Sequence, residues 1–277
     1  MSCRQGGRLG VTALTIFFKM TYNIFQITEY SVTNFFGTNH SCMELHKKYR
    51  TEHKYVSPNR LLAVQQARIA SMMKLDRFAD KGEYSIRSVY FDDLYNTCYF
   101  ENEDGTDPRE KFRIRIYNCS DKRISLELKQ KERGMCRKIS CPIPRAVCEQ
   151  ILSGKIPAFD SETPYLLKKL IMQMHMRALK PVVIVAYERV PFVYAQGNVR
   201  VTFDRNLRSS DKTGQFFDKD TPFRPVFPVG TDMMEVKFDG FLPDFINEAL
   251  QTSALQWTSF SKYYLCRKYS MRGGYDF

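Results

Sequence analysis

The sequence lacks the patterns that mark several common kinds of site. Its eight cysteines include no Cys-x-x-Cys pair, and its four histidines form no nearby series with zinc-binding spacing, so a structural zinc site is not expected. So few histidines also leave no Ser-His-Asp or Cys-His arrangement that would supply a catalytic nucleophile. Because no convincing secretory signal is present either, we expect reduced thiols and a cytoplasmic location.

Long hydrophobic runs are missing as well. The apolar stretch Val11–Phe18 is stopped by Lys19 after eight residues, whereas a membrane-spanning helix needs about 20. Two arginines precede this stretch as in a signal peptide, but no small-residue cleavage pattern follows. We therefore interpret residues 1–42 as a weakly structured extension, and Met43 is an alternative start of the biological chain. No fixed-period repeat or low-complexity linker divides the remainder, so residues 43–277 are predicted to form one domain.

Acidic residues are too few to balance the basic ones. The chain has 42 Lys and Arg against 30 Asp and Glu, a formal charge of +12, which favours an anionic partner such as nucleic acid, anionic lipid or a phosphorylated metabolite. Apolar residues are plentiful, at 43% with 21 Phe and 16 Tyr. A substantial core is therefore expected. Which anion is the partner has to be inferred from where the charged residues lie along the chain.

The chain from Met43 onward is dominated by short strands in which charged and apolar residues alternate. The strands are predicted at Tyr49–Val56, Tyr84–Asp93, Lys111–Tyr117, Arg123–Lys131, Arg137–Pro142, Val182–Val190, Asn198–Asp204 and Met233–Phe238. Helices are predicted at Pro58–Met73, Arg145–Leu152, Tyr165–Arg177 and Phe241–Leu250. The fold class is therefore α+β with β dominant, and Ser259–Tyr269 receives no assignment.

Charged residues occupy one face of strand after strand, because side chains two apart point the same way. Arg113 and Arg115 share a face of their strand, and apolar residues form the other face. Glu-x-Lys recurs in three further strands, as Glu52/Lys54, Glu127/Lys129 and Glu235/Lys237. Two arrangements account for this pattern: half-exposed strands with their charges in water, or a closed barrel with its charges inside and helices outside.

The composition of the polar faces favours the closed barrel, since they contain mostly Lys, Arg and Glu and closure removes exposed edges. In one lumen set, four acids, Glu52, Glu127, Asp204 and Glu235, face nine cations, namely Lys54, Arg113, Arg115, Lys129, Lys138, Arg189, Arg200, Lys237 and Lys262. Enclosed charges of this kind need an anionic guest. A chain of phosphates fits, because Arg and Lys bind phosphate oxygens and carboxylates can hold Mg²⁺ or Mn²⁺ against them.

Eight short motifs, in this order, carry a resemblance to a known family. They are Glu52-His53-Lys54-Tyr55, Ser88-Val89-Tyr90-Phe91-Asp92, Lys111-Phe112-Arg113-Ile114-Arg115-Ile116-Tyr117, Glu127-Leu128-Lys129, Tyr187-Glu188-Arg189, Val199-Arg200-Val201, Glu235-Val236-Lys237 and Ser261-Lys262-Tyr263. Over about residues 44–270 the sequence resembles the triphosphate tunnel metalloenzyme (CYTH-like) superfamily. Within it, the closest resemblance is to the VTC branch, the catalytic domain of the vacuolar transporter chaperone polyphosphate polymerase.

The resemblance implies a tunnel of eight antiparallel strands with helices packed outside, in which basic residues bind a triphosphate and a glutamate holds a divalent metal. Carried over by motif, Glu235 is the main metal ligand, with Glu127 as a helper. The catalytic phosphate contacts are Lys54, Arg113, Arg115, Lys129, Arg189, Arg200, Lys237 and Lys262. The further ligand candidates are Lys138 or Arg137, whose strand parity is open, and Tyr187, Ser261 and Tyr263.

Two departures from the superfamily pattern are visible. Hydrolases of the superfamily often begin with Glu-x-Glu-x-Lys, and only Glu52-x-Lys54 stands here, which suits the polymerase branch. Relatives carry a basic residue after the second strand, whereas this chain has Glu101-Asn102-Glu103. That contact is therefore missing or shifted to Arg109 or Lys111.

The resemblance implies an ATP-dependent polyphosphate polymerase that uses Mn²⁺ or Mg²⁺ and transfers the γ-phosphate of ATP to polyphosphate. The alternatives are a triphosphatase of the same superfamily and a non-catalytic module that binds polyphosphate or another polyanion. Nucleic acid is not an expected partner, because its binding site should be exposed and carry accessible aromatic residues. The chain itself supplies no transmembrane segment, and an association with a separate membrane protein is compatible with the resemblance.

Overall fold

The computed structural model describes residues 49–79, 81–251 and 255–272, and within them ten strands form one antiparallel sheet. The strands are β1 (Thr51–Pro58), β2 (Lys74–Leu75), β3 (Tyr84–Asp92), β4 (Arg109–Tyr117), β5 (Ser120–Glu132), β6 (Met135–Pro142), β7 (Lys180–Tyr194), β8 (Val199–Ser210), β9 (Arg224–Pro225) and β10 (Thr231–Phe238). Eight of them follow the order β1-β10-β8-β7-β3-β4-β5-β6, while β2 pairs with β7 and β9 with β8.

The described α-helices pack against this sheet in three clusters of buried apolar residues. They are α1 (Asn59–Met72), α2 (Thr97–Glu103), α3 (Arg145–Leu152), α4 (Tyr165–Arg177), α5 (Asp244–Leu250) and α6 (Lys262–Arg272). Apolar residues of α3 and α4 pack on β3 to β7, where Ile114 and Leu126 are fully buried. Residues of α1 and α5 pack on β7, β8 and β10, where Val201 and Val236 are fully buried. The helices thus keep water from the apolar sides of the alternating strands.

Four of these helices begin directly after a proline, at Pro58, Pro144, Pro164 and Pro243. The proline ring fixes φ near the value that a helix needs and contributes no N–H that the first turn would leave unpaired. Local sequence therefore determines where each of these helices begins.

The sheet curls until its two edge strands meet. Residues Arg50 and Cys136 form one antiparallel bridge with N–O distances of 2.9 and 3.0 Å. Lys129 of β5 lies 2.9 Å from Glu52 of β1, although five strands separate β1 from β5 along the sheet. Lys129 and Glu52 can lie this close only if the sheet curls so that the face carrying both side chains is concave. We call this concave face the lumen.

The sheet curls as predicted, but it does not close fully into a barrel. The bridge at Arg50 and Cys136 joins the starts of β1 and β6, and from there the two strands run in opposite directions. Among the described residues no further ladder links them. The structure therefore shows a curled, eight-stranded antiparallel sheet that is open along this seam, and not the fully closed barrel that the sequence predicts.

The eight predicted strands all occur, with ends that differ by a few residues. The helix α2 was not predicted, and α6 occupies most of the segment that received no assignment. The predicted extension over residues 1–42 lies outside the described residues. No described helix has the length and apolar character required to span a bilayer.

Candidate functional site

The lumen contains nearly all the charged residues that the sequence predicts to lie there. Nine cations, the eight predicted phosphate contacts together with Lys138, face five carboxylates, those of Glu52, Asp76, Glu127, Asp204 and Glu235. Strand alternation produces this arrangement, because every second residue of β1, β4, β5, β8 and β10 points inward. The charges form one cluster around Glu127 and another around Glu235 and Asp204, and a further carboxylate, Glu52, gathers three lysines.

The first cluster surrounds Glu127, which is 1% exposed. Arg113 on β4 approaches its carboxylate to 2.6 Å, Lys138 on β6 to 2.9 Å, and Arg115 to 3.9 Å. Burial opposes ionisation of Glu127, but the three cations outweigh it and lower the pKa of the carboxyl well below its usual range. Glu127 is therefore ionised and holds three cations on neighbouring strands.

The second cluster surrounds Glu235 and Asp204. Lys262 lies 2.6 Å from Asp204 and 2.9 Å from Glu235. Arg189 makes a forked contact with Asp204, with two N–O distances of 2.6 Å, and reaches Glu235 at 3.4 Å. Burial raises the pKa of both carboxyls, but the surrounding cations, Lys237 and Lys262 foremost at Glu235 and Arg189 foremost at Asp204, lower both below their ordinary values.

Glu52 joins lysines from both sides of the seam. Its carboxylate lies 3.2 Å from Lys54, 2.9 Å from Lys129 and 3.1 Å from Lys237. Lys54 also donates to the backbone carbonyl of Phe260, just before α6. The remaining cation, Arg200, pairs with Asp76 at 2.6 Å and donates to the Tyr84 hydroxyl. Each of the nine cations therefore has a carboxylate partner, yet cations outnumber carboxylates by nine to five.

Neutral side chains of β3 and β7 complete the wall between the clusters. Arg115 donates to the Ser88 hydroxyl at 3.0 Å and to the Tyr187 hydroxyl at 3.3 Å. Arg113 donates to the Tyr90 hydroxyl at 2.9 Å. No lumen role was predicted for Ser88 and Tyr90, because β3 carries no alternating charges. The signals in the sequence were their alternation along the strand and the motif Ser88-Val89-Tyr90-Phe91-Asp92, which is part of the family resemblance.

The other ligand candidates occupy different positions. Lys138 faces the lumen, whereas Arg137 points to the opposite face, donates to Gln130 and stacks on the Tyr49 ring. The buried ring of Tyr187 lies beneath the cations of Arg189 and Lys262. Ser261 accepts the backbone N–H of Tyr264 in the first turn of α6. These contacts resolve the choice that strand parity left open between Lys138 and Arg137.

Tyr263 fixes α6 to the end of β3. Its hydroxyl donates to the carboxylate of Asp92, which is fully buried and also accepts the backbone N–H groups of Cys98 and Tyr99 in α2. Helix α6 begins with Lys262, whose ammonium group pairs with both Asp204 and Glu235. The Asp92 contact therefore fixes the helix that carries a lumen cation.

The residues around Glu235 have the chemistry that a divalent metal requires. Thr202 pairs with Glu235 across the strands, is 1% exposed, and its hydroxyl has no hydrogen-bond partner among the described residues. In the same residues no group of three or more Asp, Glu, His or Cys side chains forms a complete metal cage. Mg²⁺ commonly uses only one or two carboxylates together with substrate phosphates and water. Glu235, Asp204 and the Thr202 hydroxyl fit that kind of site.

Solved structures with a similar chain path share little sequence with this protein. A Bacillus halodurans protein provisionally named adenylate cyclase has 14% identity and a TM-score of 0.42, over 74% of this chain and 87% of its own. Protein PH1819 of Pyrococcus horikoshii has 13% identity and a TM-score of 0.41, over 79% and 99%. The Mimivirus capping enzyme triphosphatase has 7% identity and a TM-score of 0.32, over 73% and 90%.

No curated protein matches the sequence. The VTC domain model, in contrast, matches it from residue 49 to residue 271, a range that contains every strand described above and all but the last residue of the helices. On the strength of that match, which covers most of the chain, the protein belongs to the VTC domain family.

Proposed function

We propose that the protein is an ATP-dependent polyphosphate polymerase whose lumen binds the triphosphate of ATP and the end of a polyphosphate chain. The observation that carries this proposal is the excess of nine cations over five carboxylates on one concave face. Such an excess repels itself until an anion of several charges enters. A linear phosphate chain supplies those charges.

The lumen residues bind and align the reacting groups. In the reaction, an oxygen of the terminal phosphate of the chain attacks the γ-phosphorus of ATP, the bond to the β–γ bridging oxygen breaks, and ADP leaves. Phosphoryl transfer needs alignment and charge stabilisation more than covalent help from the protein. Arg113, Arg115 and Arg189 offer forked donors for phosphate oxygens, and Lys54 and Lys262 offer compact charges.

Glu235, with Asp204 and the Thr202 hydroxyl beside it, would hold Mg²⁺ or Mn²⁺. When bound, the metal would supply further neutralisation of charge on the phosphate oxygens. The role of the protein is then to keep Glu235 ionised, which the cations of Arg189, Lys237 and Lys262 do by lowering its pKa against the opposing effect of burial.

Incubation with ATP and Mn²⁺, followed by separation of the products, tests the proposal. We expect long phosphate chains, with one ADP released for each phosphate that is transferred. Orthophosphate as the sole phosphate product would instead identify a triphosphatase, and ATP that stays intact would identify a binding module. Either result would overturn the polymerase proposal.

Two matched substitutions test whether the lumen performs this reaction. Glu235→Gln should lower turnover by about 100-fold or more, because one preorganised electrostatic contact is lost. Glu188→Gln is the control, since Glu188 also lies on a strand and pairs with an arginine, Arg208, but points away from the lumen. Equal turnover in the two variants would contradict the assignment of Glu235.

A further inference from the structure

Lys111 is a lumen lysine that belongs to neither charge cluster. It lies on β4 two residues before Arg113, so strand alternation directs both side chains to the same face. The register of β4 and β5 places it directly opposite Lys129, which also faces the lumen. Two lysines therefore face each other across neighbouring strands at one end of the first cluster.

The surroundings of Lys111 differ from those of the nine paired cations. Its Nζ donates to the amide oxygen of Asn102 at 3.0 Å and lies 4.6 Å from the centre of the Tyr263 ring. No carboxylate oxygen of a described residue lies within ion-pair distance of it. Lys129, its cross-strand neighbour, directs its own charge to Glu52. The ammonium group of Lys111 thus has neutral partners only.

A largely buried ammonium group without a counter-ion is costly. Burial is the main reason why the pKa of Lys111 falls from its ordinary value of 10.5 to about 7, and the nearby charges of Arg109 and Lys129 add to it. Cys98 and Glu101 on α2 act in the opposite direction. Near neutral pH the side chain is therefore divided between its charged and neutral forms.

We propose that Lys111 is an additional phosphate-binding residue of the lumen, whose counter-ion is the phosphate chain itself. This inference rests on the proposed function of the lumen. The groups that face Lys111 are Lys129 from β5, Arg109 from β4, Cys98, Glu101 and Asn102 from α2, and Tyr263 from α6. Because none of them forms an ion pair with Lys111, the missing partner is an anionic guest.

Binding should then be coupled to protonation of Lys111. A bound phosphate chain stabilises the ammonium form, so the pKa of Lys111 is higher in the complex than in the free protein. The complex consequently holds more protons than the separate partners, and it takes the difference from the buffer. Since raising the pH opposes proton uptake, affinity should fall as the pH rises above about 7.

Calorimetric titration of the full chain with tripolyphosphate at pH 8, in two buffers of different ionisation enthalpy, measures this proton uptake directly. The variant Lys111→Arg keeps the charge but remains protonated at every pH used, so the titration of the ligand itself cancels in the comparison. We expect the wild type to take up close to one proton more than Lys111→Arg, because at pH 8 a group with a pKa of about 7 is about nine-tenths deprotonated in the free protein. We also expect Lys111→Met to bind roughly tenfold more weakly than Lys111→Arg, which corresponds to about 1.4 kcal/mol.

The exposed Lys155 provides the control for simple loss of one positive charge, and Lys155→Met should bind as the wild type does. Equal proton uptake in the wild type and Lys111→Arg would overturn the inference, as would equal affinity of Lys111→Met and Lys155→Met. In both cases retained binding would leave the proposed lumen function standing. Failure of the wild type to bind tripolyphosphate would overturn both proposals together.

Discussion

Glu127 holds together three cations that would otherwise repel one another. Its buried carboxylate contacts Arg113 and Arg115 of β4 and Lys138 of β6, the strands on either side of β5. Removal of one member of a buried ion pair usually costs about 3–5 kcal/mol. Under the proposed function, Glu127 occupies the electrostatic position of a phosphate when no anion is bound.

Glu127→Gln tests that idea at the scale of one residue. We expect it to lower the free energy of unfolding by about 3 kcal/mol, the lower end of that range because Lys138 is 45% exposed. Tripolyphosphate should then raise the melting temperature more in this variant than in the wild type, because the added phosphates replace the lost charge. Thermal melts with and without the ligand, in the absence of metal, measure both effects.

Glu149→Gln is the matched control, because Glu149 pairs with Arg145 on an exposed helix face and such pairs contribute little. If tripolyphosphate stabilised the Glu127→Gln variant no more than the wild type, Glu127 would not be a substitute for phosphate. Its predicted role as a helper in metal binding stays a prediction.

Strand alternation is sufficient to predict most individual lumen residues. It places Arg113 and Arg115 on one face, because apolar residues flank and separate them in the chain. It also places Lys111 on that face, but it cannot show that Lys111 lacks a nearby carboxylate or that the Thr202 hydroxyl lacks a partner among the described residues. Such absences are three-dimensional facts that no sequence pattern encodes.

The helix α6 is the element on which the second cluster depends. It introduces Lys262 between Asp204 and Glu235, and Tyr263 fixes its first turn to Asp92. The sequence does not predict this helix, because its residues Lys262 to Arg272 are mainly polar and aromatic and show little apolar periodicity. Its helical form is stabilised by tertiary contacts instead.

Tyr263→Phe tests the positioning role of this contact. Loss of the hydroxyl leaves the buried Asp92 with one donor fewer, which should reduce the free energy of unfolding by about 1–3 kcal/mol. A displaced α6 should also raise the KM for ATP several-fold, because Lys262 would no longer hold its place between the two carboxylates. Urea unfolding and steady-state kinetics measure the two effects separately.

Tyr269→Phe on the exposed side of the same helix is the control, and it should change neither quantity. A loss of stability in Tyr263→Phe with an unchanged KM would mean that Tyr263 supports the fold without positioning Lys262.

In the molecule as a whole, the curl of the sheet brings many of the positive charges together on one concave face. A net charge of +12 alone favours any anion, whereas the contact of Lys129 with Glu52 across five strands shows that the charges face inward. The sequence predicted the charged face and eight of the ten described strands, but not the two-residue strands β2 and β9. It could not predict the open seam, because the staggered meeting of β1 and β6 at Arg50 and Cys136 depends on the curvature of the whole sheet.

Binding of the ATP triphosphate in the lumen can be seen in a crystal structure with Mn²⁺ and a non-hydrolysable ATP analogue. We expect the phosphates to lie among Arg113, Arg115, Arg189 and Lys262, and an anomalous manganese signal to lie beside Glu235. Phosphates bound on the outer, helix-covered face of the sheet, with a lumen whose ion pairs are unchanged, would contradict this expectation.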